Sequence, residues 1–110
     1  MFEIKENFGL KNYNTFHIDI SCRYFVHCSS SDQIKDFILI HQKKDLPLLV
    51  LGGGSNILFT RDFEGYVLKP EIKGIETVIE TNEFVELRVG AGENWDYFVE
   101  YCVKNNWGGV

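Results

Sequence analysis

Leu48–Phe59, "LLVLGGGSNILF", decides how the rest of the chain is read. An apolar run stops at three consecutive glycines, Gly52, Gly53 and Gly54, followed by Ser55 and Asn56, and resumes at Ile57-Leu58-Phe59. Leu48 to Leu51, preceded by the helix-breaking Pro47, has the pattern of a short strand covered on both faces. The glycines are not those of a P-loop, because Ile57 and Leu58 stand where a lysine and a Ser or Thr would be required. Nor do they fit the dinucleotide fingerprint: Ile57 takes the place of its third glycine, and the continuation reads as extended rather than helical.

Successive glycines open φ angles closed to other residues and let backbone N–H groups converge on one point, a concave anion site that needs no cation. Ser55 and Asn56 add side-chain donors, and the loop follows the carboxyl end of a parallel strand, where α/β units bind ligands. A plain tight turn needs only one Gly-Gly, and each further glycine costs roughly 0.5–1 kcal/mol relative to alanine on ordering. The composition therefore suits a diphosphate held by neutral donors. Leu51, Gly52, Gly53, Gly54, Ser55 and Asn56 are the candidate residues.

Upstream, residues 2–6 alternate apolar and polar as a strand with one buried face, and Tyr24–Cys28 reads as a second strand. From Asp32 the period changes to Ile34, Phe37, Ile38 and His41, after a Ser30-x-x-Gln33 capping box, which predicts a helix of about three turns. Downstream, strands are expected near Tyr66–Lys69, Ile72–Glu80 and Phe84–Val89, with a hairpin turn at Thr81-Asn82-Glu83. The last pattern is helical: Trp95, Phe98, Val99 and Cys102 share one face, Asn94 caps the start, and Gly108-Gly109 ends the run. The order β-β-α-β-loop-β-β-β-α is α+β with one β-α-β unit. Hairpin strands replace the crossover after Pro70, so two lobes are expected, 1–69 and 70–110.

At 110 residues the chain is the size of one domain with a modest core. Sixteen acidic against eleven basic side chains give a net charge of −5, which works against nucleic acid as a partner. No apolar run is long enough to span a bilayer, and "MFEIKENFG" lacks the features of a signal peptide, so a cytoplasmic protein with no membrane partner is expected. Cys22, Cys28 and Cys102 form no C-x-x-C pair and read as packed thiols rather than a disulfide framework or zinc site. His17, His27 and His41 beside Cys22 and Cys28 match no usual ligand spacing, so no metal is expected. Asp19, Glu93 and Asp96 have no spacing that guarantees an acid–base pair. Trp95, at a helical period, reads as core, and Lys43-Lys44 as complements of a helix dipole. Gly90 and Gly92, in "VGAG" between a strand and a helix, are further candidates for close approach to a cofactor.

"NTFHID" (14–19), "LGGGSNILF" (51–59) with "DFEGYVLK" (62–69), and "VGAGENWDYFVEYC" (89–102) together closely resemble the amino-terminal part of the UDP-N-acetylenolpyruvoylglucosamine reductases. These are the flavin enzymes, also called UDP-N-acetylmuramate dehydrogenases, of bacterial peptidoglycan precursor synthesis. The resemblance covers essentially the whole chain. It implies a vanillyl-alcohol-oxidase (PCMH) type FAD-binding domain: a small β-α-β lobe, the start of a second antiparallel α+β lobe, and FAD between them. It places the FAD pyrophosphate on the loop matching Gly52 to Asn56. It further implies NADPH as co-substrate and a nucleotide-sugar substrate, UDP-N-acetylglucosamine enolpyruvate, reduced to UDP-N-acetylmuramate.

Two departures stand out. His17 occupies a position that is usually glycine after "NTF". The chain ends at "NNWGGV", before the family's second glycine stretch and its catalytic arginine, serine and glutamate, so no catalytic residue is assigned and these 110 residues alone are expected to be inactive. Two other readings remain open: a non-catalytic flavin- or nucleotide-binding module, and a self-associating interaction domain.

Overall fold

The computed structural model describes residues 2–110. It divides into two compact units, one reaching to Glu71 and the other Ile72–Val110. The first contains β1 (Glu3–Gly9), a 3-10 turn (Lys11–Tyr13), β2 (Ser21–Cys28), α1 (Ser31–Asp36), a π turn (Phe37–His41), β3 (Leu48–Val50) and β4 (Phe63–Pro70). The second contains β5 (Ile75–Glu80), β6 (Val85–Val89) and α2 (Trp95–Lys104). This is the α+β order expected from the residues.

In the first unit the four strands form one sheet in the order β1-β2-β4-β3, with β1 antiparallel to β2 and the other neighbours parallel. Phe25 and Val67, side by side in register, face a core with Leu10, Cys22, Leu51 and Phe59. Their neighbours Val26 and Leu68 face the opposite one, with Cys28, Phe37 and Tyr66. The β2–β4 register slips between Cys22 and Tyr24, two steps on one strand matching three on the other. That irregularity lets Cys22 and Tyr24, which simple alternation would put on one face, enter opposite cores. Leu48 and Leu49 likewise serve the two cores. Val50, by contrast, is 60% exposed, so the expected cover on both faces fails at the end of this edge strand, which has only β4 beside it.

The helix starts where the capping box predicts. The Ser30 hydroxyl accepts from the Gln33 amide at 3.2 Å, while the Gln33 side chain accepts from the amide of Ser29 rather than Ser30, at 2.8 Å. After Asp36 it widens into a π turn closed by the Gln42 amide on the Phe37 carbonyl at 2.9 Å. More residues per turn break the predicted stripe: Phe37 is buried and Ile34 half-buried, but Ile38 and His41 are exposed.

β3 and β4 are adjacent and parallel, so the chain between Val50 and Phe63 must return from the carboxyl end of one to the start of the other. Parallel neighbours need a crossover of about a dozen residues, usually a helix. Here the glycine segment is that crossover. Its second apolar half lines the first core, with Phe59 buried and Ile57 packed against it.

In the second unit, β5 and β6 form an antiparallel hairpin with a register shift between Thr77 and Ile79. The Thr81 hydroxyl accepts from the amides of Glu83 and Phe84 across the predicted turn, at 3.2 and 3.1 Å. Asn94 caps α2, its side chain accepting from the Tyr97 amide at 2.9 Å. The helix ends earlier than the glycines suggested. Asn106 adopts φ +60°, its amide donates to the Val103 carbonyl at 3.0 Å, and the Trp107 amide donates to the Cys102 carbonyl at 2.9 Å. These two bonds are a Schellman stop with asparagine in the left-handed position, not Gly108-Gly109. On α2, Cys102 is buried and Phe98 and Val99 half-buried, but Trp95 is 65% exposed and not core as its period suggested.

Candidate cofactor-binding site

The ladder between β3 and β4 runs one residue past Val50, where the Leu51 amide donates to the Leu68 carbonyl at 2.9 Å. Leu51 buries its side chain and spends its amide on the sheet, so its part in the site is to anchor the strand end. Beyond it the glycines divide into two kinds. A Cβ on Gly54, which adopts φ +76°, would lie 2.1 Å from the Tyr13 carbonyl oxygen and 2.8 Å from the Asn14 Cα. A Cβ on Gly52 or Gly53 would meet nothing within 4 Å, and neither residue has a left-handed φ. Gly54 is thus glycine because the fold demands it. Gly52 and Gly53 are bare toward open space, where they would let an outside group approach the backbone.

The amides of Gly52, Gly53, Gly54, Ser55 and Asn56 donate to no other group among the described residues. The carbonyls on alternate residues are held. Gly54 accepts from the Thr15 amide at 3.1 Å, and Gly52 accepts from the Lys69 ammonium. Ser55 and Asn56 are exposed, and no acidic side chain lies between Leu46 and Thr60 in the sequence. Unpaired amides, two exposed polar side chains and an ammonium at one loop form a surface suited to an anion.

The segment against which Gly54 packs is held by one buried side chain. Asn14, 3% exposed, donates from Nδ2 to the carbonyls of Leu10 at 2.8 Å and Ile18 at 3.2 Å, and accepts at Oδ1 from the Ile18 amide at 3.0 Å. This gives "NTF" its physical role: Asn14 ties the loop, and Thr15 reaches the glycines. His17 adopts φ +54°, which is why glycine suits its position and why histidine is strained there.

Lys69 is the residue that the reading from sequence missed, because that reading invoked neutral donors only. Its signal was slight: a single charge closing the apolar stretch Tyr66-Val67-Leu68. Only the β3–β4 register, which pairs Val50 with Leu68, brings Lys69 beside the residues that follow β3, where its ammonium reaches the Gly52 carbonyl.

Gly90 and Gly92 belong to the second unit, and both amides are committed internally, Gly90 to the Gly74 carbonyl and Gly92 to the Ile72 carbonyl, each at 2.8 Å. A Cβ on Gly90 would lie 2.1 Å from the Ile72 carbonyl oxygen. Close backbone packing accounts for glycine at that position. Glu93 accepts from the Gly74 amide at 2.8 Å, while Asp19 and Asp96 are exposed. All three cysteines are free and buried. Burial pushes the Cys22 thiol up to about 11, against weaker opposing hydrogen bonds from the backbone of Cys22 and Phe8, so it is a packing group rather than a nucleophile.

The chain is similar to UDP-N-acetylenolpyruvoylglucosamine reductase of Bacteroides fragilis, 43% identical over 107 residues, which are 97% of this chain and 32% of that protein. It is similar to the same reductase of Amoebophilus asiaticus, at 40%, and of Pseudomonas aeruginosa, at 37%, each over 98% of this chain and 32% of the relative. The chain thus spans about a third of the length of these curated relatives. Its fold is that of a crystal structure of UDP-N-acetylenolpyruvylglucosamine reductase from Thermus caldophilus, with a TM-score of 0.62 over 99% of this chain and 35% of that one, at 19% identity. The FAD binding domain family matches residues 22–110, which include every glycine of the candidate loop, and the chain belongs to that family.

Proposed function

We propose that the loop Gly52–Asn56 holds the diphosphate of FAD, and that the chain is the amino-terminal FAD-binding portion of a UDP-N-acetylenolpyruvoylglucosamine reductase. One observation carries the first part: successive amides without a partner among the described residues lie at the end of β3, beside two glycines whose missing side chains leave open space. The backbone amides of Gly53 to Asn56, with the Ser55 hydroxyl and the Asn56 amide, would hold the phosphates. FAD, when bound, supplies a two-electron carrier. The likeness to the reductases, over a third of their length, supports the second part. On this reading 1–69 is the lobe with the pyrophosphate loop, 70–110 begins the second lobe, and Gly90 and Gly92 shape its backbone.

The whole protein would then be a cytoplasmic enzyme that reduces UDP-N-acetylglucosamine enolpyruvate to UDP-N-acetylmuramate with NADPH. No step of that reaction is assigned to a side chain of this chain. A titration of the chain with FAD, followed by flavin fluorescence, tests the assignment. Saturable binding that Gly53→Asp abolishes is expected, since the substitution crowds and charges the loop. Binding that survives Gly53→Asp removes the loop from the site.

A further inference from the structure

We propose that Lys69 is a positioning residue for the anion site. Its ammonium holds the Gly52 carbonyl and so turns the Gly53 amide outward before any ligand arrives. The inference rests on the FAD reading given above and goes beyond it by assigning a role to a side chain outside the loop.

A trans peptide is planar, so the carbonyl of one residue and the N–H of the next point in opposite directions. Every peptide of the described chain is trans. Fixing the Gly52 oxygen on Lys69 therefore fixes the direction of the Gly53 N–H, away from the ammonium. The Gly54 oxygen is fixed in the same way by the Thr15 amide at 3.1 Å, which directs the Ser55 N–H away from that segment. Two anchors from separate parts of the chain, one before β2 and one at the end of β4, thus grip alternate carbonyls of one loop. The peptides they hold present their donors to the open side.

Gly52 and Gly53 have no side chain to hold their peptide, a Cβ on either would meet nothing within 4 Å, and among the described residues the Gly53 amide has no acceptor, so the Lys69 bond is the hydrogen bond that keeps this peptide from turning over. A site whose donors are oriented in advance avoids the ordering cost at the moment of binding. Lysine suits the task because its ammonium has three donors on a long stem, enough to cross from β4 to the loop.

The test compares Lys69→Met and Lys69→Arg with the parent chain. Without ligand, 15N NMR should show a single sharp Gly53 amide signal in the parent. It should be shifted and exchange-broadened in Lys69→Met, largely restored in Lys69→Arg, and the Ser55 signal, held through Thr15, should change little. In titrations, Lys69→Met should weaken FAD about tenfold, equivalent to ~1.4 kcal/mol, and leave riboflavin, which lacks the diphosphate, unaffected. An unchanged Gly53 signal in Lys69→Met overturns the inference whatever the flavin result. A changed signal with undiminished FAD affinity overturns it as well, because the pinned peptide then plays no part in binding. A changed signal in Lys69→Met, together with a parent chain that binds no FAD, supports the pinning and refutes the FAD reading instead.

Discussion

Substituting alanine at two neighbouring glycines should separate the demands of the fold from those of the ligand. At Gly54 an added Cβ would lie 2.1 Å from the Tyr13 oxygen, where an ordinary contact begins at 3.4 Å, so the backbone of Tyr13 must retreat by more than 1 Å. The left-handed φ of +76° adds a penalty of about 1–2 kcal/mol for any L-residue. The displacement also threatens the bond from the Thr15 amide to the Gly54 carbonyl, worth roughly 0.5–1.5 kcal/mol. Together these give a loss of about 1.5–3.5 kcal/mol, a large share of the ~5–15 kcal/mol that holds a typical domain together. At Gly53 the same methyl meets nothing within 4 Å, and loss of glycine's freedom in the unfolded chain should leave stability unchanged or raise it by up to about 1 kcal/mol. Urea denaturation followed by far-UV circular dichroism reads both, and an FAD titration reads the other half of the contrast. Gly54→Ala should shift the midpoint sharply, while Gly53→Ala should keep the midpoint and lose affinity. Equal midpoints for Gly54→Ala and the parent would refute the packing argument, and undiminished FAD affinity in Gly53→Ala would refute the claim that its bare face receives the ligand.

Asn14→Ala leaves the Ile18 amide without its acceptor, while the carbonyls of Leu10 and Ile18 keep the amides of Tyr13 and Ile20, and should cost about 1–3 kcal/mol in the same urea assay. His17→Gly trades a left-handed strain of about 1–2 kcal/mol for glycine's entropy of about 0.5–1 kcal/mol, and should raise stability by up to ~1.5 kcal/mol, read as a higher thermal midpoint. Cys22 ionises near its ordinary 9.0 when unfolded and only at about 11 when folded, so the folded state holds the proton more tightly. Its contribution is complete below pH 9 and is lost as the pH rises toward 11, by up to about 2 kcal/mol; Cys22→Ala should flatten that part of the stability–pH curve. Asn94→Ala removes the cap on the Tyr97 amide and should lower the stability of α2 by about 1 kcal/mol, read as faster amide exchange in its first turn.

The order of elements was legible because each carries its own local signal. Alternation marks the strands, the Ser30-x-x-Gln33 pattern starts the first helix, and Asn94 starts the second, all from interactions a few residues apart. The misreadings fall where local signals competed. Gly108-Gly109 looked the natural helix stop, but Asn106 reached the left-handed conformation first, which its short polar side chain tolerates. Trp95 fits a helical stripe, yet periodicity shows only which residues share a face, not whether anything covers that face.

The sequence by itself determined the α+β class, the bare loop after the third strand and the identity of the residues that form it. Only the tertiary structure decided what each of them does. It placed β4 between β2 and β3, which turns the loop into a crossover between parallel neighbours. It separated Gly54, pressed against a segment 39 residues away, from Gly52 and Gly53, which face open space. It also brought Lys69, 17 residues further along the chain, onto the Gly52 carbonyl. The physical reason is the range of the forces involved. Backbone propensity and hydrophobic period act over one or two turns of chain, whereas the direction of a peptide group in a loop is set by whichever distant donor the sheet register happens to bring beside it.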